Sequence, residues 1–509
     1  FIKGVLTFLA LAYGSKLRGQ FLKILKVKML KCINETQYNY FSNKDTGNLI
    51  NIINEQANRA MQSFYYVTLL GAQFFNSFIY LGFALFVAFY FGLMAVIAGI
   101  CLSIIFKIIN VYVRKISRGL AQENGTLSKF LIQTLHAFKY LISTNQMSKL
   151  EKNIIPSISK LSTLQVKAGI SAALTNAIRE PIAVVFIMIV VIVQIMFLEQ
   201  TIGPMLVSIV FFHRGLSSVL MTQGNWQSAL EFVGSLELID AEFKNFSKHR
   251  EATGEIRMNR FSNNIIIENI CYKYESNTNN IINNISMNIS AKTSIAFVGE
   301  SGSGKSTLAD IITLMLKPQS GRIIIDNIES NDIQLNTWRN QIGYVSQESV
   351  VFNDTIANNI CLWIGNYKKD KVLFSKIKKA ASRANLEAFI NRLPDGYDTF
   401  VGDRGTRLSG GQRQRLFIAR ELFRQPKLLI LDEATSALDS KSERAIKESI
   451  DCLKGKTTII IIAHRLSTIR NVDVIYLLED GNVIESGSYE DLIKRERTKF
   501  KKMVNQQKL

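Results

Sequence analysis

From Met61 to Phe106 the chain carries no Asp, Glu, Lys, Arg or His. A helix needs roughly 20 apolar residues to cross a bilayer, so this run has room for two crossings. A tight turn between them is expected near Tyr90-Phe91-Gly92. Buried helices of a water-soluble core rarely run so far without a charge. Pro181 to Leu198 is a third uncharged stretch, and Gly203 to about Val219 a fourth, interrupted by His213 and Arg214. Phe1 to Tyr13 is apolar but short. It reads as the inner end of a helix begun upstream, so the N-terminus is expected to be incomplete. Residues 14–60 and 107–167 are polar, basic and helix-compatible, as cytoplasmic extensions of membrane helices would be.

The formal net charge of +20 would point to nucleic acid in a soluble chain. Its placement argues otherwise. Lys16, Arg18, Lys23, Lys26, Lys28 and Lys31 precede the first hairpin, Arg114, Lys115 and Arg118 follow it, and its turn is uncharged. That asymmetry puts both flanks in the cytoplasm. The expectation is a multi-pass protein of the cell (inner or plasma) membrane, with no nucleic-acid partner. Cys32, Cys101, Cys271, Cys361 and Cys452 are far apart and form no CxxC pair, as expected of free thiols in a reducing compartment.

Lys244 to Asn259 is rich in charge, with Gly254 near its centre. It divides the chain into an expected membrane domain at 1–243, a linker at 244–261 and a second domain at 262–509. Beyond it short β-branched runs alternate with helical segments. Ser294–Val298, Gly321–Ile325, Lys427–Leu431, Thr457–Ile462 and Val474–Leu478 are strand candidates, and such alternation predicts a largely parallel, covered sheet.

Gly299-Glu300-Ser301-Gly302-Ser303-Gly304-Lys305-Ser306-Thr307 follows the first of these strands and precedes a helical stretch, the context a phosphate-binding loop requires. Glycines let successive N–H groups curl toward phosphate oxygens, and the helix start adds its positive end. Lys305 is placed for the β- and γ-phosphates and the Ser306 hydroxyl for Mg²⁺. Leu428-Leu429-Ile430-Leu431-Asp432-Glu433 is an apolar strand ending in two acids. Asp432 suits the metal, and Glu433 suits the general base that activates water. On its own such a pair is as often a solvated loop.

Leu408-Ser409-Gly410-Gly411-Gln412 lies between the loop and the acidic strand. With it, residues 262–495 resemble the ATP-binding cassette (ABC) proteins. The resemblance implies further site residues. Tyr274 matches the aromatic that stacks on adenine, with Tyr272 as the alternative. Gln347 matches a glutamine that senses Mg²⁺, Asp439 a loop that follows the acids, and His464 the switch histidine on the γ-phosphate. Ser409, Gly410, Gly411 and Gln412 would meet ATP held by Lys305 of a second cassette. ATP and Mg²⁺ are the implied cofactors. Ser346 stands where the family often has proline.

The first half resembles, more weakly, the membrane domain of ABC exporters. That implies an all-α transmembrane domain, N-terminally incomplete, followed by an α/β P-loop ATPase cassette with a helical subdomain. The family has about six helices per subunit, and hydropathy here supports about four and a half. Phe41 to Leu49, with Thr46-Gly47-Asn48-Leu49, resembles the first cytoplasmic loop of exporters, and Leu135 to Tyr140 is placed for a second coupling helix. Arg179, His213 and Arg214 are candidates for an anionic headgroup. An internal ion pair of Arg179 with Glu180, or a snorkelling side chain, is the plainer reading. Phe212-His213-Arg214 is similar to a run in lipid-linked oligosaccharide flippases, although Gly215 follows where that family often has proline soon after.

The resemblance thus implies ATP-driven export of a lipid or lipid-linked cargo, lipid-linked oligosaccharides included. Export of peptides or hydrophobic drugs is the alternative within transporters, and a non-transport ABC ATPase the alternative of another class. The partners implied are membrane lipid and a second copy of the chain, or else a related half-transporter.

Overall fold

A computed structural model describes the chain except for residues 88, 198–201, 275–278, 434–439, 464–465, 496–497 and 508–509. The chain forms two compact units, Phe1–Glu251 and Ala252–Leu509.

The first unit is helical. Its long members are α1 (Ile2–Asn34), α4 (Ala57–Val87), α5 (Phe89–His136), α7 (Met147–Phe197) and α8 (Ile202–Glu231). Between them lie the short α2 (Tyr38–Ser42), α3 (Thr46–Asn51) and α6 (Phe138–Ser143), and α9 (Val233–Lys248) ends the unit. Among the described residues three segments, Thr46–Phe86, Gly92–His136 and Met147–Ile189, are long and apolar enough to cross a membrane. The turn expected at Tyr90-Phe91-Gly92 is not there, because α5 already begins at Phe89. Likewise Pro181, read as the start of a span, lies inside α7, as does Pro156. Both differences have one cause. In hydrocarbon an unpaired backbone group costs several kcal/mol, more than the roughly 1 kcal/mol of a helical glycine, and neighbouring groups can absorb the bond a proline removes.

The short helices follow from local chemistry. The Asp45 carboxylate caps α3 by accepting from the Gly47 N–H (3.0 Å) and the Asn48 N–H (3.4 Å), and it pairs with Lys129 of α5 (2.9 Å). At Gly47 a Cβ would stand 2.8 Å from the Lys129 Cα, so the close approach of α3 to α5 needs glycine. Deeper in the unit, buried polar groups pair across helices. Ser77 of α4 bonds Ser218 of α8 (2.9 Å), and buried Glu123 of α5 accepts from Ser157 (2.6 Å) and pairs with Lys160 (2.6 Å), both on α7.

The second unit holds two sheets. The larger contains β6 (Ile342–Val345), β7 (Leu428–Asp432), β8 (Thr458–Ile462), β3 (Ser294–Val298), β9 (Val474–Glu479) and β10 (Asn482–Gly487), in the order β10-β9-β3-β8-β7-β6. All its pairings are parallel except β10 with β9. Every residue of β3 and β7 is buried, as central parallel strands require. The smaller sheet, ordered β2-β1-β4-β5, contains β1 (Asn264–Tyr272), β2 (Ile282–Ser290), β4 (Ser320–Ile325) and β5 (Ile328–Glu329), all antiparallel. Gly321–Ile325, expected among the parallel strands, therefore belongs elsewhere. Ser320, Gly321 and Arg322, the first three residues of β4, are exposed, so one strand end faces water, as antiparallel sheets allow and a central parallel strand does not.

The helices are α10 (Lys305–Ile312), α11 (Leu335–Arg339), α12 (Ile356–Cys361), α13 (Lys371–Arg383), α14 (Glu387–Ile390) and α15 (Gly410–Phe423), with further helices toward the C-terminus. The segments α12 to α15 form a helical subdomain around Ile360, Ile377, Ile390 and Leu416. Residues 244–248 complete α9, whereas Met258 and Phe261 are buried in the second unit and the Ile256 N–H donates to Asp332 O (2.9 Å). The five cysteines are free.

Candidate active site

The buried strand β3 delivers the chain into a glycine-rich loop, and α10 starts at Lys305. Gly304 caps that helix at φ +97°, where a Cβ would stand 2.8 Å from the Ile282 Cδ1. Only glycine suits both the angle and the space. The Lys305 ammonium, 5% exposed, donates to Gly299 O (3.0 Å), Glu300 O (2.7 Å) and the Ser303 hydroxyl (3.4 Å). Burial pushes this ammonium below its ordinary value, while the charges of Glu433 and Asp432 pull it back. Ser301, Gly302 and Ser306 are exposed along the loop, and Thr307 is buried behind it. The Tyr274 hydroxyl lies 3.4 Å from the Thr307 hydroxyl. The other aromatic candidate, Tyr272, is a core residue, 3% exposed, and meets Tyr274 edge to face.

Two strands away β7 ends in buried Asp432, followed by Glu433. Glu433 takes φ +50°, unusual for a residue with a side chain, and its N–H donates to Ile462 O (3.1 Å). The exposed Gln347, just beyond β6, donates from its amide to a Glu433 carboxylate oxygen (3.2 Å). The structure thus brings together Gln347 and Glu433, and it places Lys305 within the field of both acids.

Ser409 to Gln412 start α15 through a reciprocal cap. The Gln412 N–H donates to the Ser409 hydroxyl (3.2 Å), and the Ser409 N–H donates to the Gln412 side-chain Oε1 (2.8 Å). Gly410 and Gly411 form the first turn, leaving that helix start without bulk. Buried Arg420 ties α15 down by donating to Asn359 O and Val350 O, each at 2.8 Å. Two residues were missed by sequence reasoning. Gln414, 2% exposed, donates from its amide to Glu433 O (3.3 Å), joining α15 to the acidic strand end. A lone amide between Arg413 and Arg415 was its visible signal. Half-buried Asp310 accepts from the Tyr344 hydroxyl (3.2 Å). Burial pushes its carboxyl up to about 6, and the charge of Asp432 adds to the rise. Its signal was an acid within the apolar run Leu308-Ala309-Asp310-Ile311-Ile312.

Asp439 and His464 lie outside the described residues, as does the side chain of Arg179. His213 and Arg214 are exposed on α8, while the neighbouring Phe212 is 1% exposed in a core with Leu216 and Leu220.

Residues 282–436 match the ABC transporter family, and residues 1–220 match the ABC transporter transmembrane region. The heterocyst differentiation ATP-binding protein HepA of Nostoc sp. is 32% identical over 460 residues, covering 90% of this chain and 74% of that protein. The ATP-dependent lipid A-core flippase of Photobacterium profundum is 35% identical over 398 residues, covering 77% of this chain and 66% of the flippase. A solved bacterial Atm1-family ABC exporter with ATP bound superposes with a TM-score of 0.88 at 24% identity, over 100% of this chain and 89% of that one, a likeness of fold. The chain therefore belongs to the ABC transporters, of the exporter type in which a helical membrane region precedes an ATP-hydrolysing cassette.

Proposed function

We propose that this chain works as a pair, most simply a homodimer, and uses ATP to flip a lipid or lipid-linked cargo out of the cytoplasm across the cell membrane. The observation that carries the cargo reading is the similarity to lipid A-core flippases, which extends across both units: 35% identity over 398 residues for one and 32% over 469 for another.

The residues present fit a nucleotide and a hard cation. The loop from Gly299 to Gly304 offers backbone N–H groups, α10 its positive end, and the Lys305 ammonium lies inside the same loop. The Ser306 hydroxyl and Asp432 carboxylate would supply oxygen donors of the kind Mg²⁺ prefers, with the Gln347 side chain, which lies 3.2 Å from Glu433, as a further one. Bound Mg²⁺ would neutralise phosphate charge. Glu433 then serves as general base for the attacking water, oriented by Gln347 from one side and held through its backbone by Gln414. Tyr274 stacks on the base, and Asp439 and His464 complete the site. The Ser409–Gln412 helix start of one copy faces the phosphates held by Lys305 of the other. That supports pairing, since among the described residues the side-chain hydrogen bonds of Ser409 and Gln412 are with each other's backbone N–H.

Proteoliposomes test the whole reading. ATP-dependent movement of a fluorescent pyrophosphate-linked lipid is expected, with Arg214→Ala reducing it. Transport of peptides or drugs with no lipid movement would overturn the cargo. Rapid hydrolysis by a verified monomer would overturn the pairing.

A further inference from the structure

A groove of about 760 Å³ lies between α4, α5 and α8. Its long walls are apolar, formed by Phe74, Phe78 and Leu81 of α4, Ile100 and Ile104 of α5, and Val219 of α8. One end is polar, with Lys107, Asn110 and Arg114 of α5 facing Gln223 and Trp226 of α8. Lys107, Asn110 and Arg114 are spaced i, i+3, i+7, one face of a helix.

The charges there are unequal. Arg114 donates to the Glu237 carboxylate (2.6 Å), which it shares with Arg118, so its guanidinium is held in place and its charge partly offset. Lys107 is exposed, and among the described residues it has no hydrogen-bond or ion-pair partner. Among the described residues no carboxylate lines the groove. The Gln223 amide donates to the Asn110 side-chain carbonyl (3.0 Å), which leaves the Asn110 NH₂ as a donor one helical turn from Lys107 in the same groove.

Depth decides what such a groove can hold. Lys107 is the first charge after the uncharged run from Met61 to Phe106. It stands 18 residues beyond Phe89, where α5 begins, about 27 Å along the axis at 1.5 Å per residue. That is close to the thickness of the hydrocarbon layer, so Lys107 marks its edge on the side of the basic flank. Trp226 is of the residue type that settles at that edge. The apolar walls then face acyl chains and the cationic end faces headgroups.

We propose that this groove binds a phospholipid with an anionic headgroup from the cytoplasmic leaflet. The headgroup phosphate is held by Lys107 and Asn110, and one acyl chain lies along Phe74, Phe78, Ile100 and Ile104. A zwitterionic lipid brings its own ammonium to the uncompensated lysine and gains less. The site is separate from the cargo reading above, because neither His213 nor Arg214 lines it. Binding here and transport there fail independently.

The test uses the full chain in phosphatidylcholine nanodiscs doped with brominated phosphatidylglycerol or brominated phosphatidylcholine. Bromines quench tryptophans they touch, and the difference between the native chain and Trp226→Phe isolates Trp226. Half-quenching is expected at a roughly fivefold lower mole fraction of the anionic lipid, the effect of one lysine at a membrane surface. Lys107→Ala equalises the two lipids, and Lys107→Arg keeps the preference. Equal quenching in the native chain, or a preference that survives Lys107→Ala, overturns the proposal. So does an absence of quenching by either lipid, since a second copy of the chain would then be covering the groove.

Discussion

The cassette and the membrane unit treat polar side chains in opposite ways. In the cassette the polar groups of the site hold one another: Lys305 is buried under its own loop, Gln347 holds the Glu433 carboxylate, and Gln414 holds the Glu433 backbone. Apolar side chains are the scaffold, as in the fully buried β3 and β7. In the membrane unit large apolar side chains such as Phe78, Phe86 and Ile108 stand outward, at 73%, 90% and 79% exposure. Inside, hydroxyls and carboxylates link helices, as Ser77 does with Ser218 and Glu123 with Ser157. The difference comes from the solvent. Water makes an exposed apolar patch informative, whereas lipid makes it ordinary and makes an unpaired cation such as Lys107 informative instead.

The sharpest way to break the comparison is at Glu433. Glu433→Gln is expected to lower ATP turnover by about 10²-fold or more while nucleotide binding is retained, since a general base contributes that much. Steady-state phosphate release and a binding titration read both, and turnover and transport at native rates would refute the assigned chemistry. Next comes Gln414→Leu, which removes one buried amide of similar size. A loss of roughly tenfold in kcat with little change in KM is expected, the scale of one hydrogen bond that positions the base. An unchanged kcat would reduce Gln414 to packing.

Asp310 probes the same region through pH. Its folded value of about 6 lies above the ordinary 3.8, so the folded cassette retains a proton that the unfolded chain releases. The contribution of Asp310 to stability is therefore fully present below about 4 and is lost as pH rises through 6, by on the order of 1 kcal/mol after allowance for partial exposure. Asp310→Asn should flatten that decline in urea unfolding of the cassette transition, and an identical slope would remove the assignment. The smallest effect belongs to the membrane unit. A double-mutant cycle of Ser77→Ala and Ser218→Ala should give a coupling of only about 0.6 kcal/mol, typical of polar pairs between membrane helices. A coupling several times larger would erase the contrast between the units.

Much of this architecture was readable along the chain because the signals are local. Charge-free length marks membrane helices, a fully apolar run marks a central strand, and Gly302 to Thr307 or Ser409 to Gln412 each build their helix start from neighbouring residues. The rest depends on distant partners. The strands β1 and β2 went unread although Ile265, Ile267, Ile285, Met287 and Ile289 are buried at alternate positions, since Asn263 and Asn264 at the start of β1 and Asn283, Asn284, Ser286 and Asn288 along β2 look like loop. Nothing near Pro181 or Gly92 announced that a helix would run through them.

By itself, then, the sequence determined the family, the order of membrane region and cassette, and the residue types for binding and cleaving ATP, because each rests on spacing within a few residues. Only the tertiary structure decided which side chains meet. It set Gln347 and Gln414 on either side of Glu433, lodged Asp310 against Tyr344, moved Gly321–Ile325 into the antiparallel sheet, and closed a groove around Lys107 from three helices. Such contacts join residues tens to more than a hundred positions apart, where packing and solvent, rather than local propensity, choose the partner.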